Sequence, residues 1–488
     1  MMNSVILIGA GLHLAALLAL TLYGLHRLWL LWRWRQLLRH PQVVPQWHGP
    51  LPLVTVQLPL YNEPCVVERL LDAVAALDWP PERLQIQVLD DSTDETTALV
   101  ATRVAFWRER GLPFEILRRT RREGYKAGAL AAGLTSAQGE LIALFDADFV
   151  PPADFLRRLL PWFADPAVAL VQARWEFLNG EASWLTRLQA LLLGPHFGIE
   201  HQVRYRRGLF FNFNGTAGIW RRQAIEDAGG WQADTVTEDL DLSYRAQLRG
   251  WRFVYVDALA VSSELPDSLA AFCSQQQRWA KGSLQTARKI LPRIWRATLP
   301  RPVKIEATAH LLANLGWLCG TLVALTVLPA VLWRLQADSY RFWPLDLTLF
   351  LLATGAILTY FFCHAWQRRQ WSLLPFVPLI PLLTLGLAPR LAWAALTGLV
   401  RRGGEFVRTP KQGSAADWQR LLPAGPGRAW LPLGLGLYSL VPLLLAWRQL
   451  SAPGLFLLLF FPTGFFWLAL QHGREEQHRR QPVARIRS

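Results

Sequence analysis

The sequence predicts an α/β domain with a mostly parallel β-sheet, inserted between membrane-spanning α-helices. Three observations support this prediction. Apolar runs of spanning length cluster at both ends of the chain, β-favouring runs alternate with helix-like stretches in the middle, and acidic strings stand where those β-favouring runs end. With 488 residues, 52% of them hydrophobic, and a formal net charge of +15, the chain is too apolar for an ordinary soluble enzyme and too charged for a pure membrane bundle.

Five apolar runs have the length of a spanning helix, which is ~17–25 residues. They are Val5–Leu25, Leu311–Trp333, Leu345–Cys363, Ala429–Trp447 and Gly454–Leu470. Arg27, Arg33 and Arg35 follow the first run and no basic residue precedes it, which predicts an N-terminus outside and a middle domain in the cytosol. Without a basic n-region or a small-residue cleavage pattern, this run is predicted to be a retained anchor rather than a signal peptide.

A sixth apolar stretch, Ser372–Val400, is predicted not to span. The basic segments on its two sides must both lie in the cytosol if the neighbouring runs span as assigned. Four prolines interrupt the stretch, and Arg390 lies in its second half. We therefore expect a re-entrant or interfacial element followed by a short amphipathic helix, which gives five spanning helices, with six as the alternative.

These patterns divide the chain into six parts. They are an anchor with its basic flank (1–46), a catalytic domain (47–301), a helix pair (302–371), an interfacial region (372–428), a second helix pair (429–471) and a basic cytosolic tail (472–488). Lys and Arg concentrate beside the apolar runs, so the predicted partner is anionic membrane lipid and not nucleic acid. The four cysteines are far apart and are interpreted as reduced thiols.

The middle domain shows an alternation of strands and helices. Val54–Leu58 and Gln85–Leu89 are predicted strands separated by a helix over Pro64–Leu77, which is the spacing of a βαβ unit. Further strands are predicted at Glu115–Leu117, Leu141–Phe145, Val168–Gln172 and Phe253–Val256. This order favours one α/β sheet with mostly parallel strands.

Two acidic strings follow predicted strands. Asp90 and Asp91 come directly after one strand, and Asp146 and Asp148 end another. Open parallel sheets bind ligands at the carboxyl ends of their strands, and alternate residues of an extended segment share a face. Asp146 and Asp148 can therefore converge on Mg²⁺ or Mn²⁺, which prefer oxygen ligands. The alternative is that such a string is an ordinary turn and helix cap.

A third acidic string opens a helical stretch at Glu238 and Asp239. Helix capping explains an isolated pair of this kind. The positive end of the helix dipole would also keep Asp239 ionised, as a general base must be in order to take a proton from a hydroxyl group. Asp239 is the predicted catalytic base.

Downstream, Arg278 offers a planar donor fork suited to a diphosphate, and Trp279 offers a flat face for a sugar ring. Lys126 can be a phosphate contact or a solvated helix residue. His196 and His201 lack a third ligand and are interpreted as polar fillers rather than as a metal site.

Eight strings in one order carry a family resemblance. They are Q-L-P-L-Y-N-E from Gln57, V-L-D-D-S-T-D from Val88, G-Y-K-A-G-A-L from Gly124, F-D-A-D-F from Phe145, A-L-V-Q-A-R-W from Ala169, F-N-G-T-A-G-I-W-R from Phe213, T-E-D-L-D-L from Thr237 and Q-Q-Q-R-W from Gln275. The chain resembles the processive family 2 inverting glycosyltransferases of the cellulose synthase superfamily. Within that superfamily it resembles the cellulose-synthase-like mannan synthases.

The resemblance implies a GT-A type cytosolic domain and a role for each matching residue. Nucleotide-sugar contacts would come from Tyr61, Glu63, Asp90, Asp91, Lys126, Asp146 and Arg278, and the metal would bind Asp146 and Asp148. Asp239 would be the base, and acceptor contacts would come from Gly215, Glu238, Gln275 and Trp279. A gating loop would include Phe406, Thr409 and Lys411, with Arg408 where the family often has valine.

The predicted function is membrane-embedded inverting transfer of mannose or glucose from GDP-mannose or UDP-glucose, with Mg²⁺ or Mn²⁺, to a growing β-linked polysaccharide. One alternative is transfer of a single sugar to a lipid acceptor. Another is a transporter or receptor that only binds nucleotide, which the scarcity of ionisable residues in the apolar runs disfavours. The predicted location is the bacterial inner membrane.

Overall fold

A computed structural model of the chain describes residues 2–336, 343–404, 429–447 and 452–480. Its sheet consists of strands β1 (Val54–Leu60), β2 (Leu84–Asp90), β3 (Phe114–Leu117), β4 (Leu141–Leu144), β5 (Val168–Phe177), β6 (Gly218–Arg221) and β7 (Arg252–Ser263). The strand order is β3-β2-β1-β4-β6-β5-β7. Strand β6 runs antiparallel to both of its neighbours, and the other paired strands are parallel.

The predicted α/β sheet with mostly parallel strands is confirmed. All six predicted strands form, and β5 and β7 extend further than predicted. Strand β6 was missed because its four residues carry no alternating pattern and are ordered by the strands on either side. Strands β2 and β4 are buried along their whole length, as expected of a sheet covered on both faces, although β2 alternates apolar residues with the buried Gln85 and Gln87.

The helices of the catalytic domain lie between and after the strands. They are α2 (Val67–Ala75), α3 (Thr96–Arg108), α4 (Tyr125–Ser136), α5 (Phe155–Leu159), α6 (Trp184–Pro195), α7 (Gln202–Arg206), α8 (Arg222–Asp227), α9 (Glu238–Leu248), α10 (Leu269–Arg296) and α11 (Arg301–Leu311). A π-helix, His196–His201, joins α6 to α7. Fully buried side chains such as Val56, Leu70 and Ile86 fill the space between sheet and helices, and each stabilises the fold by about 1.5–3 kcal/mol.

The remaining helices are apolar and long. They are α1 (Met2–Leu37), α12 (Leu315–Gln336), α13 (Trp343–Gln367), α14 (Ile380–Val400), α15 (Trp430–Ala446) and α16 (Ala452–Arg480). In the described part of the chain, five stretches are long and apolar enough to cross a membrane, namely Ser4–Leu37, Leu315–Gln336, Pro344–Gln367, Trp371–Val400 and Gly454–Gln477. The protein is therefore a membrane protein. Helix α15 is apolar but has only 17 residues.

The stretch predicted not to span consists of a 3₁₀ segment, Trp371–Leu379, followed by α14. By length and composition it is sufficient to cross a membrane, so its predicted interfacial position stays a prediction. The C-terminal end of α14 lies against α10, where the Arg288 guanidinium donates to the carbonyl oxygens of Leu399 and Val400 at 2.7 and 2.9 Å. This end of the stretch therefore contacts the catalytic domain.

Helix α1 is joined to the catalytic domain by buried charges. We call the residues His26, Arg27, Glu200, Arg204 and Glu306 the junction cluster. Arg27 pairs with Glu200, while Arg204 lies 3.1 Å from Glu200 and 3.0 Å from Glu306. His26 lies 2.8 Å from Glu306. Because each carboxylate has a cationic or hydrogen-bonding partner from a different helix, the cluster fixes α1 against α7 and α11.

Candidate active site

The predicted site residues lie at the carboxyl ends of β1, β2 and β4 and on the helices that face those ends. A cavity of about 170 Å³ opens there, which we call the donor cavity. Its lining includes Tyr61, Glu63, Asp91, Lys126, Asp146, Asp148, Gly215, Glu238, Asp239, Gln275, Arg278 and Trp279. The structure thus brings together all the predicted site residues within its described part except Asp90.

Asp90 is the last residue of β2 and lies outside the donor cavity. Its carboxylate accepts from Arg118 Nε at 3.1 Å and from the Ser92 N–H at 3.0 Å. It therefore braces the loop that carries Asp91. The predicted gating residues Phe406, Thr409 and Lys411 fall outside the described residues.

Helices α9 and α10 meet closely beside the donor cavity. A Cβ at Gly282 would lie 2.4 Å from the Thr237 side chain, so only glycine permits this approach. The contact brings Arg278 and Trp279 of α10 to the N-terminus of α9, where Asp239 lies. Burial lowers the pKa of Arg278, although the surrounding carboxylates oppose that effect.

Lys126 lies among the acidic groups of the site. Its Nζ is 2.5 Å from Asp146 Oδ1, 2.9 Å from the Gly215 carbonyl oxygen and 4.0 Å from Glu238 Oε1. Burial alone would lower the pKa of Lys126, but Asp146 and Glu238 outweigh it and raise that pKa. Lys126 therefore stays cationic and offsets part of the negative charge of the cavity.

Asp239 is the second residue of α9. Burial and the adjacent Glu238 carboxylate raise its pKa to about 7, against the opposing effects of Lys126 and the Leu240 N–H. The helix N-terminus was expected to keep Asp239 ionised, but burial outweighs the dipole and raises the pKa. A carboxylate with a pKa near neutral pH is well matched to general-base catalysis.

Gly215 allows the chain to pass next to Asp239. Its φ is +81°, and a Cβ added there would lie 3.0 Å from Asp239 Oδ2 and 3.3 Å from Lys126 Nζ. Any other residue would be strained in this conformation and would crowd both charged groups. Glycine at this position therefore leaves the space beside the candidate base open.

Asp146 and Asp148 could hold a divalent cation together with a substrate. In the described ranges no group of three His, Cys, Asp or Glu side chains forms a metal site made of protein alone. Mg²⁺ commonly binds through one or two carboxylates plus substrate phosphates, and both carboxylates line the donor cavity. The residues present therefore fit a metal shared with a diphosphate.

Sequence analysis did not identify three residues that lie in or beside the donor cavity. Arg119 pairs with Asp91, and the Arg122 guanidinium lies 3.3 Å from the centroid of the Tyr61 ring. Asn214 lies between two histidines. The basic string after β3 could have indicated the arginines, because it lies at the same edge of the sheet as the acidic strings.

A second cavity of about 500 Å³, which we call the membrane cavity, extends from the donor cavity between the apolar helices. Both cavities are lined by Asn214, Thr237, Asp239 and Trp279. Aromatic rings from four of the apolar helices line the membrane cavity, among them Tyr23, Trp317, Phe350, Tyr360 and Phe460. Asp239 therefore stands where a polar site meets a space lined with aromatic rings.

This α/β domain, with its acidic cavity, is similar to a known class of protein. Residues 51–282 match the family described as Glycosyltransferase like family 2. The predicted family resemblance is thereby confirmed.

Curated relatives indicate which proteins of this kind the chain is most usefully compared with. The chain is 44% identical over 273 residues, which are 53% of this chain and 50% of the relative, to the probable glucomannan 4-beta-mannosyltransferase 10 of Arabidopsis thaliana. It is 43% identical over 268 residues, 54% of this chain and 51% of the relative, to glucomannan 4-beta-mannosyltransferase 1 of Oryza sativa subsp. japonica. The chain spans about half the length of the curated relatives it matches.

The fold is also that of a solved mannosyltransferase from Pyrobaculum calidifontis, determined in complex with GDP-Man and Mn²⁺. The TM-score is 0.54 at 24% sequence identity, and the match covers 75% of this chain and 98% of the other. This likeness confirms the predicted GT-A fold.

Proposed function

We propose that the protein is a membrane-embedded inverting hexosyltransferase that adds mannose from GDP-mannose to a growing β-linked polysaccharide. The observation that carries this proposal is the position of Asp239 at the meeting of the donor cavity and the membrane cavity. Relatives named as glucomannan mannosyltransferases support mannose over glucose as the sugar. The aromatic rings in the lining of the membrane cavity support a chain of sugars as the acceptor, because flat rings stack on sugar rings.

The reaction is a single displacement at the anomeric carbon of the donor. The acceptor hydroxyl gives its proton to Asp239, its oxygen bonds to the anomeric carbon, and the bond from that carbon to the diphosphate breaks. Arg278 and Lys126 place positive charge beside the departing diphosphate, where its negative charge grows. Trp279 offers its ring face to the acceptor sugar at the boundary of the two cavities.

A divalent cation, Mg²⁺ or Mn²⁺, belongs to this proposal. Asp146 and Asp148 would hold it, and it would supply charge neutralisation for the leaving diphosphate. The solved mannosyltransferase of the same fold, determined with Mn²⁺, supports a divalent metal.

We also propose the orientation predicted from the basic flank of α1, with the catalytic domain in the cytosol and the N-terminus outside. Anionic lipids would contact the basic residues beside the helices, as in the pair Arg401-Arg402, whose side chains are exposed. The relatives described above are plant proteins, so the bacterial inner membrane stays a prediction.

A pH profile tests the role of Asp239. The base works only when ionised, and its pKa is about 7. Transfer should therefore rise through neutral pH and fall by about tenfold per pH unit well below the pKa. Because Lys126 lowers that pKa, Lys126→Met should move the midpoint to higher pH. Rates at saturating donor across the pH range check both expectations, with Lys304→Met as a control outside the donor cavity.

The function itself is tested by offering GDP-mannose and UDP-glucose separately to washed membranes. The expected result is a polymer that is made from GDP-mannose and digested by β-mannanase. Chelation should stop its synthesis, and added Mn²⁺ or Mg²⁺ should restore it. A polymer made only from UDP-glucose would overturn the sugar assignment, and a product of one sugar on lipid would overturn the polymer assignment.

A further inference from the structure

Asn214 is held between two histidines at the boundary of the two cavities. Its Oδ1 lies 2.7 Å from His201 Nε2, and its Nδ2 lies 3.1 Å from His196 Nε2. The two histidines are five residues apart in the π-helix, whose wide turn places such residues on one side. Their ring centroids are 4.4 Å apart. The pair therefore forms one clamp around the amide.

The orientation of the Asn214 amide determines which ring nitrogen of each histidine carries the proton. The Oδ1 atom can only accept a hydrogen bond, so His201 carries its proton on Nε2. The Nδ2 atom can only donate, so His196 accepts on Nε2 and carries its proton on Nδ1, which lies 3.5 Å from Glu200 Oε2. Burial holds the pKa of His201 well below its usual value, which keeps that ring neutral.

The two histidines use only one of the two N–H groups on the Asn214 side chain. The Nδ2 atom has two N–H groups, and His196 accepts from one of them. Asn214 lines both cavities, and it directly precedes Gly215, where an added Cβ would lie 3.0 Å from Asp239 Oδ2. The second N–H can therefore be offered to a group that binds beside Asp239.

We infer that Asn214 orients the acceptor hydroxyl by donating to its oxygen while that hydroxyl gives its proton to Asp239. This inference rests on the proposed function. A hydroxyl has one proton and two acceptor lone pairs, so it can bond to both residues at once. The remaining lone pair then faces the anomeric carbon. His196 and His201 act through Asn214 and are positioning residues, with Glu200 fixing the ring of His196.

The test separates transfer to sugar from transfer to water. GDP-mannose turnover is measured in washed membranes with and without a β-mannan oligosaccharide acceptor, and the ratio of sugar transfer to donor hydrolysis is compared between variants. Asn214→Ala should lower that ratio roughly tenfold, as expected for one lost hydrogen bond to a reacting group. The KM for GDP-mannose should stay near its original value.

Matched variants distinguish orientation from loss of structure. Asn214→Asp has nearly the same shape but cannot donate, so it should lower the ratio as well, and it serves if the alanine variant does not fold. Gln247→Ala removes a buried amide that donates to the Phe211 carbonyl at 2.7 Å and lines neither cavity, so it should leave the ratio unchanged. His196→Gln keeps a hydrogen-bond acceptor for the Asn214 amide. Its ratio of sugar transfer to donor hydrolysis should therefore fall less than that of His196→Ala.

Two outcomes would overturn the inference. An unchanged ratio in folded Asn214→Ala and Asn214→Asp would remove Asn214 from the acceptor site while leaving the proposed function intact. Absence of transfer by the unsubstituted protein, with donor still bound, would instead remove the proposed function, and the inference with it.

Discussion

An Asp239→Asn variant is expected to bind the nucleotide-sugar donor normally and to lose hexose transfer by roughly 10²-fold or more. The amide has almost the same shape as the carboxylate, so the cavity should keep its form. It cannot take the proton of the acceptor hydroxyl, however, and the described lining of the donor cavity places no other carboxylate at the meeting of both cavities. Initial rates of labelled-sugar transfer in purified membranes, at saturating donor, measure the loss.

The control for this variant is Asp78→Asn. Asp78 lies on the surface, where its side chain is 62% exposed and pairs with Arg157, so its substitution should leave transfer unchanged. Donor affinity is measured separately by competition with the nucleoside diphosphate. Near-normal turnover of Asp239→Asn would show that another group removes the proton.

The second large effect is expected on thermal stability, in an Arg204→Leu variant. Arg204 is completely buried and lies between Glu200 and Glu306. Arg204→Leu would leave two buried carboxylates with too few partners, which costs about 3–5 kcal/mol for a broken buried pair. The shift in unfolding temperature per kcal/mol falls with chain size, from about 2–4 °C at roughly 150–250 residues to about 1–2 °C at this length, so thermal unfolding in detergent should shift down by roughly 3–10 °C.

A surface pair of the same spacing provides the comparison. Arg222 and Glu226 also form an ion pair four residues apart, but their side chains are 34% and 50% exposed. Arg222→Leu should therefore shift the unfolding temperature far less, because exposed pairs contribute about 0–1 kcal/mol. Equal shifts in the two variants would mean that burial does not determine how much the junction cluster stabilises the protein.

The acidic residues of the site could be predicted because they obey local rules. Asp146 and Asp148 follow a buried strand at a spacing of two, and Asp239 opens a helix, so the sequence itself brings them to the edge of the sheet. The same rules identified the strands on either side of β6. Strand β6 itself depends on partners that are distant in the chain.

Asn214 was missed because its surroundings depend on long-range contacts. Asn214 lies in an irregular loop, and its role is set by His196 and His201 from a different element. No pattern in the sequence states that two histidines five residues apart will be in a π-helix. The pKa of Asp239 was misjudged for a related reason, since burial by surrounding elements outweighs the helix dipole that the sequence does indicate.

The junction cluster changes how the catalytic domain can be isolated. Its two arginines and two glutamates are balanced in charge, but Arg27 belongs to α1, and the other three residues belong to the π-helix, α7 and α11. A truncated protein that starts at residue 47, made for soluble expression, would keep both glutamates and lose Arg27 and His26. The carboxylates on the face that α1 covers would then carry an uncompensated negative charge, so the first helix is an electrostatic component of the folded protein.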